Sequence, residues 1–304
     1  MKSTKKFEFI IETVQEIDRF LLSAINSQAH LELSRKQIQK LFLENLVLLD
    51  GKIEKFRSKK LKIGQSLEVH LPKVLFSKKS PLKPVLEIDP KRIIFEDNIL
   101  IIYDKPEGIP TQGTLDPKKD HLYASLQRFL DQREKKKTYL ALHHRLDTDT
   151  SGLIIFCKKK SFNKKISDMF QNKTIKKTYL ALVNKNIGSI PPTLLCEERL
   201  EKIREGRFLK SKVCGDSVGE SAKTTFKLIN SQESSFLLEC YPETGRMHQI
   251  RVHLQNKGFP IVGDRIYGGS LNQRLMLHAW KLNFLHPSND KLMEVLSPIP
   301  VGFL

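Results

Sequence analysis

Residues 143–152 read His-His-Arg-Leu-Asp-Thr-Asp-Thr-Ser-Gly, and the rest of the chain is organised around them. They hold two carboxylates, two imidazoles, a guanidinium, hydroxyls and a glycine. Apolar residues precede them at 139–142 and follow them at 153–156, and both runs are typical of short buried strands. A polar loop between two core strands is a usual place for catalysis, because the scaffold holds its side chains. A charged, solvated turn without a function is the alternative.

The positions from His144 to Gly152 resemble the signature HRLDxxTSG of the RluA-type pseudouridine synthases, and every fixed position matches. These enzymes have their catalytic aspartate at the Asp of the signature, so the resemblance implies that Asp147 is the nucleophile or base. Asp149 is the competing carboxylate, although it falls on a variable position. His144 and Arg145 are expected to contact RNA, and Arg145 either fills the space left by a flipped nucleotide or binds phosphate.

Two further stretches are similar to motifs of the same family. Residues 105–112 follow KPxGxxxH, with Gln112 where many members have histidine. The resemblance implies a pocket-wall loop, made rigid by prolines and glycine, in which Lys105 binds RNA. Residues 177–183 follow KxYLALV, whose tyrosine lies against the target base, and this implies that Tyr179 stacks on uracil. From the strand pattern alone, this tyrosine is a core residue.

Residues 244–254 match a third motif, TGRxHQIRVHL, at all fixed positions. A catalytic aspartate must be ionised, and a guanidinium partner favours that form. Arg246 or Arg251 can supply this partner, and the family alignment favours Arg251. Arg246 and His248 are also expected to bind RNA. His248 and His253 have no acidic or Cys partner near them in the sequence, so we expect packing or RNA contacts there and no metal.

Length and charge limit the class of protein. The 304 residues suffice for two domains, each with its own core. Lys and Arg outnumber Asp and Glu by 52 to 34, and the net charge of +18 favours a polyanionic partner such as nucleic acid. A solubility surface or an anionic membrane face would carry a similar charge. The four cysteines lie far apart, so we expect reduced thiols in a cytoplasmic protein without a secretory signal, membrane span or membrane partner.

The N-terminal part predicts a small module from about residue 15 to residue 71, with two short helices followed by a hairpin-like tail. Ser34 and Gln37 form a capping-box pattern, which predicts the start of the second helix. Asp50-Gly51 predicts a tight turn. Residues 67–71 alternate between apolar and polar and predict a strand.

This module resembles the RNA-binding domain of the ribosomal-protein-S-four type. Residues 17–21, 34–41 and 48–52 carry the likeness. The resemblance implies RNA binding by cations on the outer side of the second helix, which neutralise phosphates and release counterions. These cations are Arg35, Lys36 and Lys40. A solvated helix face is the alternative.

The sequence therefore predicts an α+β protein in three parts. An RNA-binding domain occupies residues 1–71, a proline-rich linker 72–90 and a pseudouridine synthase catalytic domain 91–304. By likeness, the catalytic domain has a mixed, mostly antiparallel central sheet, flanking helices and a central cleft. Apolar runs within 93–103 predict its first hairpin. Residues 184–234 are the least informative, with only weak strand signals.

The resemblance implies an RNA pseudouridine synthase that isomerises specific uridines in structured RNA, with large-subunit ribosomal RNA or a pre-ribosomal particle favoured as its partner. The reaction breaks the bond between uracil nitrogen and ribose, turns the base and rejoins it through a ring carbon. It needs no cofactor and no metal, and we expect a monomer. The alternatives are a tRNA pseudouridine synthase, a non-catalytic RNA-binding assembly factor on the same fold, and a hydrolase whose carboxylate pair releases free uracil.

Overall fold

The computed structural model describes residues 4–29, 33, 35–72, 86–113, 120–185, 188–206, 208–215, 217–231 and 233–303. The chain divides into two compact units, Met1–Leu82 and Lys83–Leu304. The predicted limits of the linker remain a prediction, because most of it falls on residues 73–85, which lie outside the described residues. No helix in the described part of the chain is both long enough and apolar enough to cross a membrane.

The N-terminal unit combines two helices with a four-stranded antiparallel sheet. The helices are α1 (Ile17–Ala29) and α2 (Arg35–Leu43), and the strands are β1 (Thr4–Ile10), β2 (Val47–Leu49), β3 (Lys52–Ile53) and β4 (Ser66–Pro72). The strands lie in the order β1-β4-β2-β3. Two helices followed by a hairpin and a further strand are the order of elements that the sequence predicted.

Helical and alternating apolar patterns meet in the core of this unit. Leu21 of α1, Ile38 of α2 and Val69 of β4 are buried in one cluster. Asp50 and Gly51 both have positive φ and join β2 to β3, which confirms the predicted tight turn. The proposed capping serine, residue 34, and the side chain of residue 36 lie outside the described part of the structure.

The second unit is built on a large mixed sheet with three helices. The helices are α3 (Leu122–Glu134), α4 (Asn163–Gln171) and α5 (Gln249–Asn256), and 3-10 turns cover Pro90–Arg92 and Lys160–Phe162. The strands are β5 (Ile93–Glu96), β6 (Leu100–Lys105), β7 (Ala141–Leu142), β8 (Ser151–Cys157), β9 (Lys176–Asn184), β10 (Thr193–Glu205), β11 (Phe208–Cys214), β12 (Glu220–Ser231), β13 (Ser235–Pro242), β14 (Leu277–Leu285) and β15 (Leu292–Leu296).

Nine of these strands follow one path through the sheet, in the order β11-β10-β12-β13-β9-β14-β8-β6-β5. Strand β15 pairs with β14, and β7 pairs with β8. Among the described strands, β8 and β14 form the one parallel pair. A small antiparallel sheet, followed along the chain by a mixed, mostly antiparallel sheet, confirms the predicted α+β class.

Strand β8 anchors the loop of residues 143–150, because both of its faces are buried. Leu153 and Ile155 pack in the cluster that includes Ile166 of α4. Ile154 and Phe156 point to the other face and pack in the cluster that includes α3. Alternation along the strand therefore buries every residue of β8 between two layers. The polar loop that precedes β8 is held at a fixed edge of the core.

Candidate active site

Two side chains of the 105–112 segment hold the loop that bears Asp147. The Thr111 hydroxyl donates a hydrogen bond to the Leu146 carbonyl over 2.8 Å and accepts one from the Leu146 amide over 3.2 Å. The Lys105 amine donates to three carbonyls, those of Pro106, Ile109 and Thr148, over 2.9–3.0 Å. The predicted pocket-wall loop is thus tied to the residues on either side of the aspartate.

The end of the loop presses against strand β14. Gly152 has a φ of +113°, and a Cβ atom built on it would lie 2.2 Å from the carbonyl oxygen of Ala279. Only glycine fits this backbone conformation and this close approach. The neighbouring Ser151 hydroxyl and His278 Nδ1 lie 2.8 Å apart inside the core. The final Ser-Gly of the signature therefore fixes where β8 begins.

Arg251 lies beside Asp147, and a second carboxylate orients it. Its Nε and Nη2 donate to the two oxygens of Asp264, each over 2.8 Å. Its Nη1 lies 3.6 Å from Oδ2 of Asp147. The Arg251 side chain is 3% exposed and that of Asp147 is 21% exposed. A buried guanidinium in this bidentate pair cannot rotate freely, so it presents one nitrogen to the aspartate.

A second network lies behind the arginine. The Tyr267 hydroxyl accepts from the Ser211 amide over 2.8 Å and donates to the Ser211 carbonyl over 3.1 Å. His248 Nδ1 lies 3.0 Å from the same hydroxyl, and its Nε2 lies 3.9 Å from Oδ2 of Asp147. Burial lowers the pKa of His248, and the charge of Asp147 opposes this shift. The imidazole is therefore neutral at pH 7 and belongs to the wall of the site.

Tyr179 lies on β9, is 9% exposed and lines the same cleft as Asp147. Burial raises the pKa of its phenol above the ordinary value, and the negative charge of Asp147 raises it further. The side chain is therefore a neutral phenol with an aromatic face and a hydrogen-bond donor. The strand pattern and the motif are compatible here, because Tyr179 is both a core residue and a cleft residue.

The cleft has a volume of about 1380 Å³ and is lined by residues 143–147, 176–179 and 241–251 among others. Pockets for small molecules usually measure roughly 300–1,000 Å³, so this one suits a segment of a polymer. Arg145 and Arg246 are exposed and line it. Arg246 donates from Nε to the Ser221 carbonyl over 3.0 Å and pairs with Glu220. Both side chains are therefore accessible from the cleft.

The structure corrects the RNA contact expected of Lys105 and gives His144 partners within the protein. Lys105 is fully buried, and its three hydrogen bonds go to protein carbonyls. His144 accepts a hydrogen bond from the Ile155 amide over 2.8 Å, and its ring stacks on Phe170 with centroids 4.7 Å apart. Burial lowers the pKa of His144 to about 3, so the ring is neutral. Lys105 therefore supports the loop from within and does not reach the cleft as an RNA ligand. His144 is half-buried and lines the cleft, so its expected RNA contact stays a prediction.

The cations expected on α2 lie partly within the described structure. Arg35 and Lys40 are exposed, and Lys40 Nζ lies 3.6 Å from Oε1 of Glu44. Exposure at the surface of α2 leaves both able to meet phosphate. An exposed ion pair of this kind contributes little to stability, so another anion can easily replace Glu44 as the partner of Lys40.

Three residues that hold the site together were given no role by the sequence. Asp264 and Tyr267 follow a glycine in a D-x-x-Y spacing, and Asp264 Oδ1 accepts from the Tyr267 amide over 3.0 Å. Thr111 falls on a variable position of the KPxGxxxH motif. The D-x-x-Y spacing next to a glycine was the available signal, whereas nothing near Thr111 pointed to its partner 35 residues away.

Comparison with known proteins identifies the class. A family model of RNA pseudouridylate synthases matches residues 99–256. A ribosomal large subunit pseudouridine synthase C of Buchnera aphidicola is 31% identical over 95% of this chain and 91% of its own length. One from Vibrio parahaemolyticus is 32% identical over 94% and 89%, respectively. The chain belongs to the RNA pseudouridylate synthase family.

Solved structures agree on the fold. The human RNA pseudouridylate synthase domain containing 4 superposes with a TM-score of 0.57 at 23% identity, covering 70% of this chain and 90% of that one. The human domain containing 1 gives a TM-score of 0.55 at the same identity. By its family, the present chain is an RNA pseudouridine synthase, and so an isomerase that acts on RNA.

Proposed function

We propose that this enzyme isomerises specific uridines of large-subunit ribosomal RNA, with Asp147 as nucleophile or base, Arg251 as its partner and Tyr179 against the base. One observation carries the assignment of Asp147. Its carboxylate is partly exposed at the cleft and lies 3.6 Å from a guanidinium that Asp264 holds in place. Asp149, the competing carboxylate, is exposed and outside the cleft lining.

In the proposed reaction the bond between N1 and C1′ of the uridine breaks, uracil turns, and a bond forms between C5 and C1′. A proton leaves C5 and another joins N1, so the reaction is redox-neutral. Asp147 supplies the electron pair or removes the proton, roles that carboxylates commonly take. Arg251 keeps the carboxylate oriented because its other nitrogens are occupied by Asp264.

Tyr179 supports the detached base. Its ring offers a stacking surface, which is worth roughly 1–3 kcal/mol per base. Its phenol remains protonated, because burial and the nearby aspartate raise its pKa. It can therefore donate a hydrogen bond to the uracil while the ring turns. Flipping the nucleotide costs a few kcal/mol, and exposed Arg145 at the cleft offsets part of this by replacing the base or binding phosphate.

Large-subunit ribosomal RNA is the proposed substrate because full-length relatives with that name cover nearly the whole chain, N-terminal unit included. The test is a pseudouridine map of total RNA from cells lacking the gene and from cells carrying Asp147→Asn or Asp149→Asn. We expect one or a few ribosomal pseudouridines to vanish in the deletion and in Asp147→Asn while persisting in Asp149→Asn. Full modification in Asp147→Asn would refute the assignment, and losses confined to tRNA would refute the substrate.

We also propose that the N-terminal unit binds RNA phosphates through Arg35, Lys36 and Lys40, as the likeness to the ribosomal-protein-S-four type implies. Replacing all three by glutamine removes about three phosphate contacts, so the slope of log affinity against log salt becomes shallower by about 2 to 3. RNA-filter binding of the full chain at several salt concentrations measures this slope. Replacing Lys135, Lys136 and Lys137, an exposed triplet in the second unit, is the control. An equal slope change in both triple variants would contradict the proposal.

A further inference from the structure

Three side chains of metal-ligand type meet away from the catalytic carboxylate. Cys196 and Glu198 are two residues apart on β10 and so share one face of the strand. His253 lies on α5, two residues after Arg251, which is roughly 200° around a helix with 3.6 residues per turn. The helix therefore turns Arg251 toward Asp147 and His253 toward β10.

The ligand atoms of these three residues lie within 4.8 Å of one another. Nε2 of His253 and Oε2 of Glu198 are 3.6 Å apart. That separation is longer than the 2.7–3.2 Å of an N–H···O hydrogen bond. The imidazole is completely buried, and neither of these two atoms has a hydrogen-bond partner in the described structure. Buried polar atoms of folded proteins normally have a partner, so this arrangement calls for one.

The other polar atoms of His253 and Glu198 have hydrogen-bonding partners of the kind that metal ligands usually have. His253 Nδ1 lies 3.0 Å from the Thr224 hydroxyl, which leaves Nε2 facing the cluster. The other carboxylate oxygen of Glu198 lies 2.6 Å from Lys257 Nζ and 3.3 Å from Asn256 Nδ2. Partners of this type orient metal ligands from behind and fix which nitrogen of a histidine is free.

Burial sets the protonation states that a metal would meet. It raises the pKa of the Cys196 thiol to about 12 and lowers the pKa of His253 to about 4. At pH 7, before any cation binds, these two groups are therefore a thiol and a neutral imidazole. The imidazole already has a lone pair for a metal. A cation that binds sulfur replaces the thiol proton, and one proton passes to the solvent.

We propose that Cys196, Glu198 and His253 bind one Zn²⁺ ion, with water completing a tetrahedral set. Thiolate and imidazole ligands together select zinc over magnesium or calcium, which prefer oxygen. The ion joins β10 to α5, the helix that carries Arg251, and thereby fixes that helix against the sheet. No sign of this site is visible in the sequence, because Cys196 and Glu198 precede His253 by more than 50 residues.

The test begins with chelator-treated full-length protein, which is titrated with Zn²⁺ and, separately, with Co²⁺. We expect one zinc per chain by elemental analysis and a thiolate-to-cobalt absorption band in the near ultraviolet. Cys196→Ser and His253→Gln are expected to weaken zinc binding by more than about 100-fold, the upper end of the loss for a supporting partner. Thr224→Val removes such a supporting partner and is expected to weaken binding about 10- to 100-fold.

Two controls match the variants in burial. Cys157 is another fully buried thiol, and His286 is another buried imidazole beside a carboxylate, 3.0 Å from Asp97. Cys157→Ser and His286→Gln are expected to bind zinc as the unchanged protein does. Circular dichroism shows which variants fold. The cobalt spectrum of the unchanged protein tests the proposal without any variant, because absence of the thiolate band overturns the proposal. Equal zinc binding by Cys196→Ser and the unchanged protein overturns it as well.

Discussion

Thr111 gives a direct test of how the fold holds Asp147. Its hydroxyl bonds to both the carbonyl and the amide of Leu146, and the residue is 3% exposed. Valine has nearly the same shape without the hydroxyl, so Thr111→Val leaves two buried groups without partners. Each costs roughly 1–3 kcal/mol, so the free energy of unfolding falls by about 2–6 kcal/mol if the loop keeps its place. If the loop moves toward water, stability falls less and kcat falls instead.

Both quantities can be measured on the same protein, with Thr111→Ser as the control that keeps the hydroxyl. Urea denaturation followed by circular dichroism gives the free energy of unfolding. Release of tritium from ribosomal RNA labelled at C5 of uridine, isolated from cells lacking the gene, counts turnovers because the new bond displaces that hydrogen. A valine variant that matches the serine variant in both stability and kcat would show that Thr111 does not hold the loop.

Two further substitutions test the packing around the loop. Gly152→Ala places a Cβ 2.2 Å from the Ala279 carbonyl oxygen at a φ of +113°, so we expect the free energy of unfolding to fall by at least about 2 kcal/mol, as measured by thermal unfolding. Gly215→Ala is the control, because its Cβ meets nothing within 4 Å. Equal melting temperatures of the two variants would contradict the reasoning. Burial lowers the pKa of Lys105 from 10.5 to about 8. Between pH 8 and pH 10.5 the unfolded chain therefore binds more protons than the folded chain. Across this range we expect the free energy of unfolding to rise by about 3 kcal/mol relative to that of Lys105→Met. Parallel curves of stability against pH for the two proteins would exclude this shift.

Local sequence patterns predicted those elements in which buried residues recur at a spacing typical of a helix or a strand. Apolar residues on both faces of β8 made it recognisable as a buried strand, and Asp50-Gly51 predicted the tight turn between β2 and β3. Strand β10 was not predicted, because only Cys196 and Leu200 of its thirteen residues are buried. A spacing of four does not show the period of two that identifies a strand.

The sequence predicted only those residues of the site that belong to recognised motifs. Asp147 and Arg251 are 104 residues apart in the sequence, and their proposed pairing came from family resemblance. Lys105 was assigned to RNA because it matches the family motif KPxGxxxH. Its burial depends on three carbonyls that converge only after β6 and the loop of residues 143–150 have packed together. The partners of a buried amine are a property of the folded chain, and sequence spacing does not reveal them.

The burial of most of α5 decides which side of the candidate active site can adjust to RNA. Its residues from Gln249 to Leu254 are all buried, and only Gln255 and Asn256 at its C-terminal end are exposed. The amide hydrogens of the buried part can exchange with solvent only when a large part of the unit opens. The carboxylate of Asp147 lies on a partly exposed loop, whose local openings are far less costly. The helix that bears Arg251 therefore acts as a rigid template, and accommodation of the substrate falls to the loop.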